Sequence, residues 1–216
     1  MNNKDLISQY SDSGMGIPEY QYNKLPNNDK RTYIRKRGIT SLFRGGELYG
    51  YEYRLMSNEV KLDFMKNKLS RNNDISSEMY NDTPIELRLE YLKIKIDRGS
   101  YLTDQEYSDA SDDLKMEYIK KRVSRGLVLT DQEYSDASDE YKVKHIKNRI
   151  SLNHELTDQE YSDAPVEYKI SYLFIKGHDY YDLPDNLKLS YLKMKIKNGD
   201  ELNDEEIGDY KRLNNE

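Results

Sequence analysis

A string of about ten residues recurs almost unchanged, from Leu102 to Ser111, from Leu129 to Ser138 and from Leu156 to Ala164. Each copy starts 27 residues after the last. The same period picks up Ile75 and Leu48 and, across a short insertion, Ile17, so one small unit copied in tandem makes up most of the chain. A unit this short cannot bury a core alone, and stacking against its neighbours is the way such units become stable.

Three columns define the second half of the unit. Tyr33, Phe64, Tyr91, Tyr118, His145, Tyr172 and Tyr191 form an aromatic column, and seven positions earlier stand Pro26, Ser57, Pro84, Ser111, Ser138, Pro165 and Pro184. Proline lacks the N–H that a first helical turn leaves unpaired and serine is a common N-cap, so this column predicts a helix start. Eight residues after the aromatic come Asn72, Gly99, Gly126, Asn153 and Gly199, residue types that tolerate the left-handed conformation closing a helix. Gly38 and Gly177 come at five, which predicts a helix about one turn shorter in the first and sixth units. Apolar residues follow helical spacing between start and stop, as at Leu114, Tyr118, Ile119 and Val123.

The first half predicts a shorter helix. Thr103 and Glu106 are spaced for reciprocal capping of free backbone N–H groups, with Leu102 and Tyr107 as a hydrophobic staple, and the pattern repeats at Thr130 to Glu133 and Thr157 to Glu160. Asn203 and Glu206, flanked by Leu202 and Ile207, mark the same start in a terminal half-unit. The expected fold is therefore all-α: an α-solenoid of short helical hairpins with a period of about 27 residues. The expected organisation is a flexible N-terminal tail over 1–16, a hairpin array over 17–201 with units starting near 17, 48, 75, 102, 129, 156 and 181, and a capping helix over 202–216. It resembles helical-hairpin repeat proteins in general, but the period is shorter than the ~34 of tetratricopeptide and ~33 of ankyrin repeats and neither signature occurs.

Composition narrows function by exclusion. The chain has no cysteine, which removes disulfides, thiolate ligands and thiol nucleophiles. No stretch is long and apolar enough to span a membrane, and the start lacks the basic-then-apolar order of a signal peptide, so a cytoplasmic or virion location without membrane contact is expected. Three histidines are present: His145 stands in the aromatic column, while His154 and His178 fall at turns with no nucleophile-and-carboxylate set. Neither a phosphate-binding glycine loop nor a metal signature occurs, so no catalytic residue, cofactor or metal is assigned and an enzyme is not expected. Abundant Tyr, Asn, Lys and Ile fit an AT-rich coding sequence of the kind many phages, large DNA viruses and low-GC bacteria carry.

Three rows are candidates for binding. Tyr22, Tyr53, Tyr80, Tyr107, Tyr134 and Tyr161 form a ladder that fits either an aromatic platform or, more simply, staples buried between layers. Asp104, Asp131 and Asp158, then Glu106, Glu133 and Glu160, then Asp109, Asp136 and Asp163 form acidic rows able to attract a basic partner, although carboxylates also belong in first helical turns. The first unit gathers Arg31, Arg35, Lys36, Arg37 and Arg44 against few acids, the best candidate for an acidic protein or nucleic acid. The function expected is a non-enzymatic scaffold, adaptor or assembly component mediating protein–protein contact or self-assembly, with a phage or viral particle as one setting. Two alternatives stand beside it: an inhibitor or decoy occupying a basic host surface, and a nucleic-acid-binding module using the basic first unit.

Overall fold

The computed structural model describes residues 2–44 and 47–214. Among these, every regular element is helical and no strand occurs. The helices are α1 (Asn3–Asp12), α2 (Glu19–Tyr22), α3 (Asn27–Arg44), α4 (Gly50–Arg54), α5 (Asn58–Ser70), α6 (Ser77–Asn81), α7 (Ile85–Arg98), α8 (Asp104–Asp109) and α9 (Asp112–Ser124). They continue with α10 (Asp131–Asp136), α11 (Asp139–Ser151), α12 (Asp158–Asp163), α13 (Val166–Ile175), a 3-10 turn over Tyr180–Asp182, α14 (Asp185–Asn198) and α15 (Asp204–Asn214). Two compact units divide the chain, Met1–Leu114 and Lys115–Glu216. In the first, long helix packs on long helix (α3 on α5, α5 on α7) and short on short (α4 on α6). The second pairs α11 with α13 and α13 with α14, and seats α12 and α15 on the long helices before them.

Local chemistry explains the starts. Thr103, Thr130 and Thr157 each accept the N–H of the glutamate three residues on, while Glu106, Glu133 and Glu160 accept the N–H of the threonine. Pro84, Pro165 and Pro184 sit at the N-caps of α7, α13 and α14. Gly126 ends its helix at a φ of 71°, and Asn72 and Asn153 take the same left-handed turn.

Two expectations are corrected. Residues 1–16 were expected as a flexible tail, but Asn2 caps α1, whose Ile7 is buried in the first unit's core with Leu6 and Tyr10 packed against it. Gly38 does not stop a helix: α3 runs through it for 18 residues. A Cβ at Gly38 would come within 2.8 Å of Val60 Cγ1, so this glycine permits close approach of α3 and α5. Gly177 does close a helix, and α13 is short as expected.

The two aromatic columns interlock. Each short-helix ring meets the ring eleven residues on: Tyr22 with Tyr33, Tyr53 with Phe64, Tyr80 with Tyr91, Tyr134 with His145, Tyr161 with Tyr172 and Tyr180 with Tyr191, at 5.7–6.0 Å between centroids. Tilted pairs at this separation are the favoured geometry for aromatic quadrupoles. A cation eight residues after the short-helix tyrosine covers its other side, as Lys61 over Tyr53 at 5.2 Å, Arg88 over Tyr80 at 5.0 Å, Lys142 over Tyr134 at 5.4 Å and Lys188 over Tyr180 at 5.3 Å. The ladder is therefore core, not platform. Each cation–ring contact is worth about 0.5–2 kcal/mol according to its desolvation.

A second basic column links consecutive hairpins. Four residues after the long-helix aromatic stand Arg37, Lys68, Lys95, Arg122, Arg149, Lys176 and Lys195. Five of them reach the capping glutamate of the next short helix: Arg37–Glu52 at 3.2 Å, Lys95–Glu106 at 2.8 Å, Arg122–Glu133 at 3.1 Å, Arg149–Glu160 at 3.3 Å and Lys195–Glu206 at 2.8 Å. All five glutamates are buried. The lysines donate directly, whereas Arg122 Nε and Arg149 Nε lie at ion-pair distance without hydrogen-bond alignment. Burial alone raises the Glu206 carboxyl, but Lys195 and the Asn203 N–H outweigh it and hold the group below the ordinary glutamate value. Since removing one partner strands a buried charge, Lys95→Met should lower the urea-derived unfolding free energy by about 3–5 kcal/mol. Lys95→Met combined with Glu106→Gln should recover part of that loss.

His145 completes the fifth unit's aromatic position with its Nε2 2.8 Å from Glu160 Oε1. Burial pushes the imidazole below its ordinary value, and the charges of Arg149 and Arg122 add to that against the pull of Glu160. The ring is thus neutral, Nε2–H donating to the carboxylate. The unfolded chain takes up this proton near pH 6.5 while the folded chain does not, so stability falls as pH drops below that value. The melting midpoint should fall between pH 7 and pH 5, and His145→Phe should flatten part of that fall.

Candidate interaction surface

The first unit presents its charge along α3. Arg31 and Arg35 lie four residues apart and so share one helical face, both exposed. They border a cavity of about 320 Å³ with Tyr22, Lys30, Ile34, Leu55, Met56, Ser57 and Val60. Ile34 and Met56 form its buried apolar floor, and Leu55 projects from the end of α4 with 54% of its surface exposed. Lys30 lies over the Tyr22 ring at 5.6 Å. No carboxylate lines this cavity, and neither Arg31 nor Arg35 forms an ion pair among the described residues. A rim of guanidinium groups around an apolar floor suits a ligand carrying both negative charge and an apolar side chain.

The structure separates the other candidate cations. Lys36 is exposed on α3 outside the cavity. Arg44 ends α3, and its side chain lies outside the described residues. Arg37 is corrected from surface contact to core, being 1% exposed. Its Nε faces Glu52 at 3.2 Å and its Nη2 donates to the Glu47 carbonyl. Tyr33 donates to the same Glu52 carboxylate, and Ile17 N–H donates to the Tyr33 hydroxyl at 2.6 Å. Burial and then Glu52 push the Tyr33 phenol well above its ordinary value, so it stays a neutral donor.

The acidic rows also divide. Asp104, Asp131 and Asp158 are exposed at the first positions of α8, α10 and α12, where they face the positive helix end. The second row is bound within the fold rather than free. Asp109 pairs with Arg88 at 2.8 Å, Asp136 accepts from Gln132 at 2.9 Å, and Asp163 accepts from Gln159 at 2.8 Å and from the Tyr134 hydroxyl at 3.2 Å. In the second unit a cavity of about 550 Å³ opens between α10 and α12, with Asp131, Ser135, Gln159 and Asp163 on its walls. Its cations are already engaged, Lys142 on Tyr134 and Arg149 on Glu160.

Arg35 and Arg37 are neighbours in sequence with opposite roles. Arg37→Glu would bury a like charge beside Glu52 and should destabilise by at least about 3 kcal/mol in chemical denaturation. Arg35→Glu, on an exposed face, should stay within about 0.5 kcal/mol of the parent.

Compared with models of protein families, with curated proteins and with solved structures, the chain matches none.

Proposed function

We propose that this chain is a non-enzymatic α-solenoid of 27-residue hairpins that works as a scaffold or assembly component, holding proteins together through the groove beside Arg31 and Arg35. One observation carries the reading. The recurring cations of the repeats meet glutamates of the next hairpin or tyrosine rings, whereas the Arg31 and Arg35 guanidinium groups border an apolar cavity that no carboxylate lines. Surfaces that combine arginine with apolar anchors are typical of protein interfaces. Helical elements throughout and the recurring 27-residue caps support the solenoid, because like units with like caps stack alike.

The ligand favoured is an acidic protein segment with an apolar side chain, since a nucleic-acid backbone supplies charge but nothing for Ile34, Met56 and Leu55 to bury. No described helix is long and apolar enough to cross a membrane.

Small-angle scattering tests the shape: a compact chain of this length has a radius of gyration of about 17 Å, and a stacked array should exceed it clearly. Affinity capture with the parent and an Arg31→Glu/Arg35→Glu variant tests the surface. Loss of a protein partner by the variant at unchanged melting midpoint is the expected result. Salt-steep capture of nucleic acid by the parent instead would replace this reading with the nucleic-acid one.

A further inference from the structure

The groove beside Arg31 and Arg35 has a complementary counterpart on the same chain, at α15. Asp204 and Glu205 open that helix and are exposed. Other acids of α15 are committed, Glu206 to Lys195 at 2.8 Å and Asp209 to Arg212 at 2.9 Å. Neither Asp204 nor Glu205 forms an ion pair among the described residues, and Glu205 lies near enough to Tyr181 to push its phenol up. Beside them Ile207 stands where each earlier short helix carries its tyrosine, yet it is 38% exposed, while Tyr134 and Tyr180 are buried. Gly208 adds no bulk: a Cβ built there meets nothing within 4 Å. Asp204 and Ile207 are three apart and share a face, so α15 presents a carboxylate pair next to a branched apolar side chain.

We propose that α15 of one copy docks into the Arg31–Arg35 groove of a second copy, Ile207 entering between Leu55 and Ile34 while Asp204 and Glu205 meet the two guanidinium groups. This rests on the groove being a protein-binding surface, as proposed above, and names its occupant. Charge complementarity favours it: the groove is lined by three cations and no acid, and the exposed start of α15 is acidic. Lys211, exposed one turn beyond Ile207, sets the direction, because the docked helix must point it away from the arginines. Donor and acceptor surfaces differ, so the contact is heterologous and propagates from copy to copy into a ring or filament. A single helix against one groove is a small interface, which makes the association weak and readily reversible.

Sedimentation velocity on the full chain tests this from about 10 to 500 µM, at about 0.05 and 0.5 M salt, where screening lengths differ about threefold. The weight-average sedimentation coefficient should rise with concentration at low salt and stay flat at high salt. Two variants, Arg31→Glu/Arg35→Glu and Asp204→Lys/Glu205→Lys, should each stay monomeric with melting midpoints close to the parent. Mixed in equal amounts they should associate again, because each groove then meets a helix of opposite charge. A parent that stays monomeric throughout, or a mixture that does not recover, overturns the proposal. If the parent is monomeric and yet loses a protein partner on Arg31→Glu/Arg35→Glu, self-docking fails while the protein-binding reading stands. Binding of nucleic acid by a monomeric parent, lost in the same variant, overturns both.

Discussion

The buried pair between a long-helix cation and the next capping glutamate joins three features of the fold at two residues. Glu106 closes the first turn of α8 by accepting the Thr103 N–H at 2.7 Å, and it neutralises Lys95. Lys95 in turn lies over the Tyr91 ring at 5.8 Å, and its carbonyl accepts the Ser100 N–H that ends α7. The end of one helix, the start of the next and the contact between them are thus settled at one point. Net stabilisation from such a pair is small because both charges are desolvated. Its value lies in register: a short helix displaced by one residue would strand a buried carboxylate, which costs several kcal/mol.

What was legible in the sequence was what short-range chemistry decides. Thr103 and Glu106 define a start wherever the chain goes, and Gly126 defines a stop, since neither depends on distant residues. Gly38 was misread because a helix stop and a close helix crossing both call for a missing Cβ, and only Val60, 22 residues away, tells them apart. Arg37 was misread for a related reason. Within the run Arg35-Lys36-Arg37 all three look alike, and only helical phase against Glu52 draws one of them inside. A usable signal was present: a cation recurs four residues after the aromatic in every unit, while the basic residues around it vary. Helix C-termini also favour cations at those positions, so the column by itself does not disclose the contact with the next hairpin. The N-terminal helix has its own signal in Asn2 and the spacing of Leu6, Ile7 and Tyr10, but it lies outside the repeat and shares none of its columns.

Tyrosine takes the place of phenylalanine for a physical reason. Its ring fills the space between layers while its hydroxyl meets polar groups of the neighbouring hairpin, as Tyr134 does with Asp163 and Tyr180 with Asp209. Burial and those carboxylates raise the phenols, so they remain protonated donors. A side chain that is apolar along its body and polar at its tip can be buried as a ring while its hydroxyl still finds a polar partner.

The clip also has a direction. At each such junction the cation comes from the trailing end of one hairpin and the glutamate from the leading end of the next, so a hairpin that carries both fits behind another of its kind. The three near-identical strings beginning at Leu102, Leu129 and Leu156 each carry a glutamate answered by the cation of the hairpin before it. Elsewhere the ends do not match. The turn after Lys68 leads to Met79 where the glutamate would stand, and Lys176 turns back to Glu155 at 2.6 Å. A unit copied from either of those junctions would arrive with an unanswered charge.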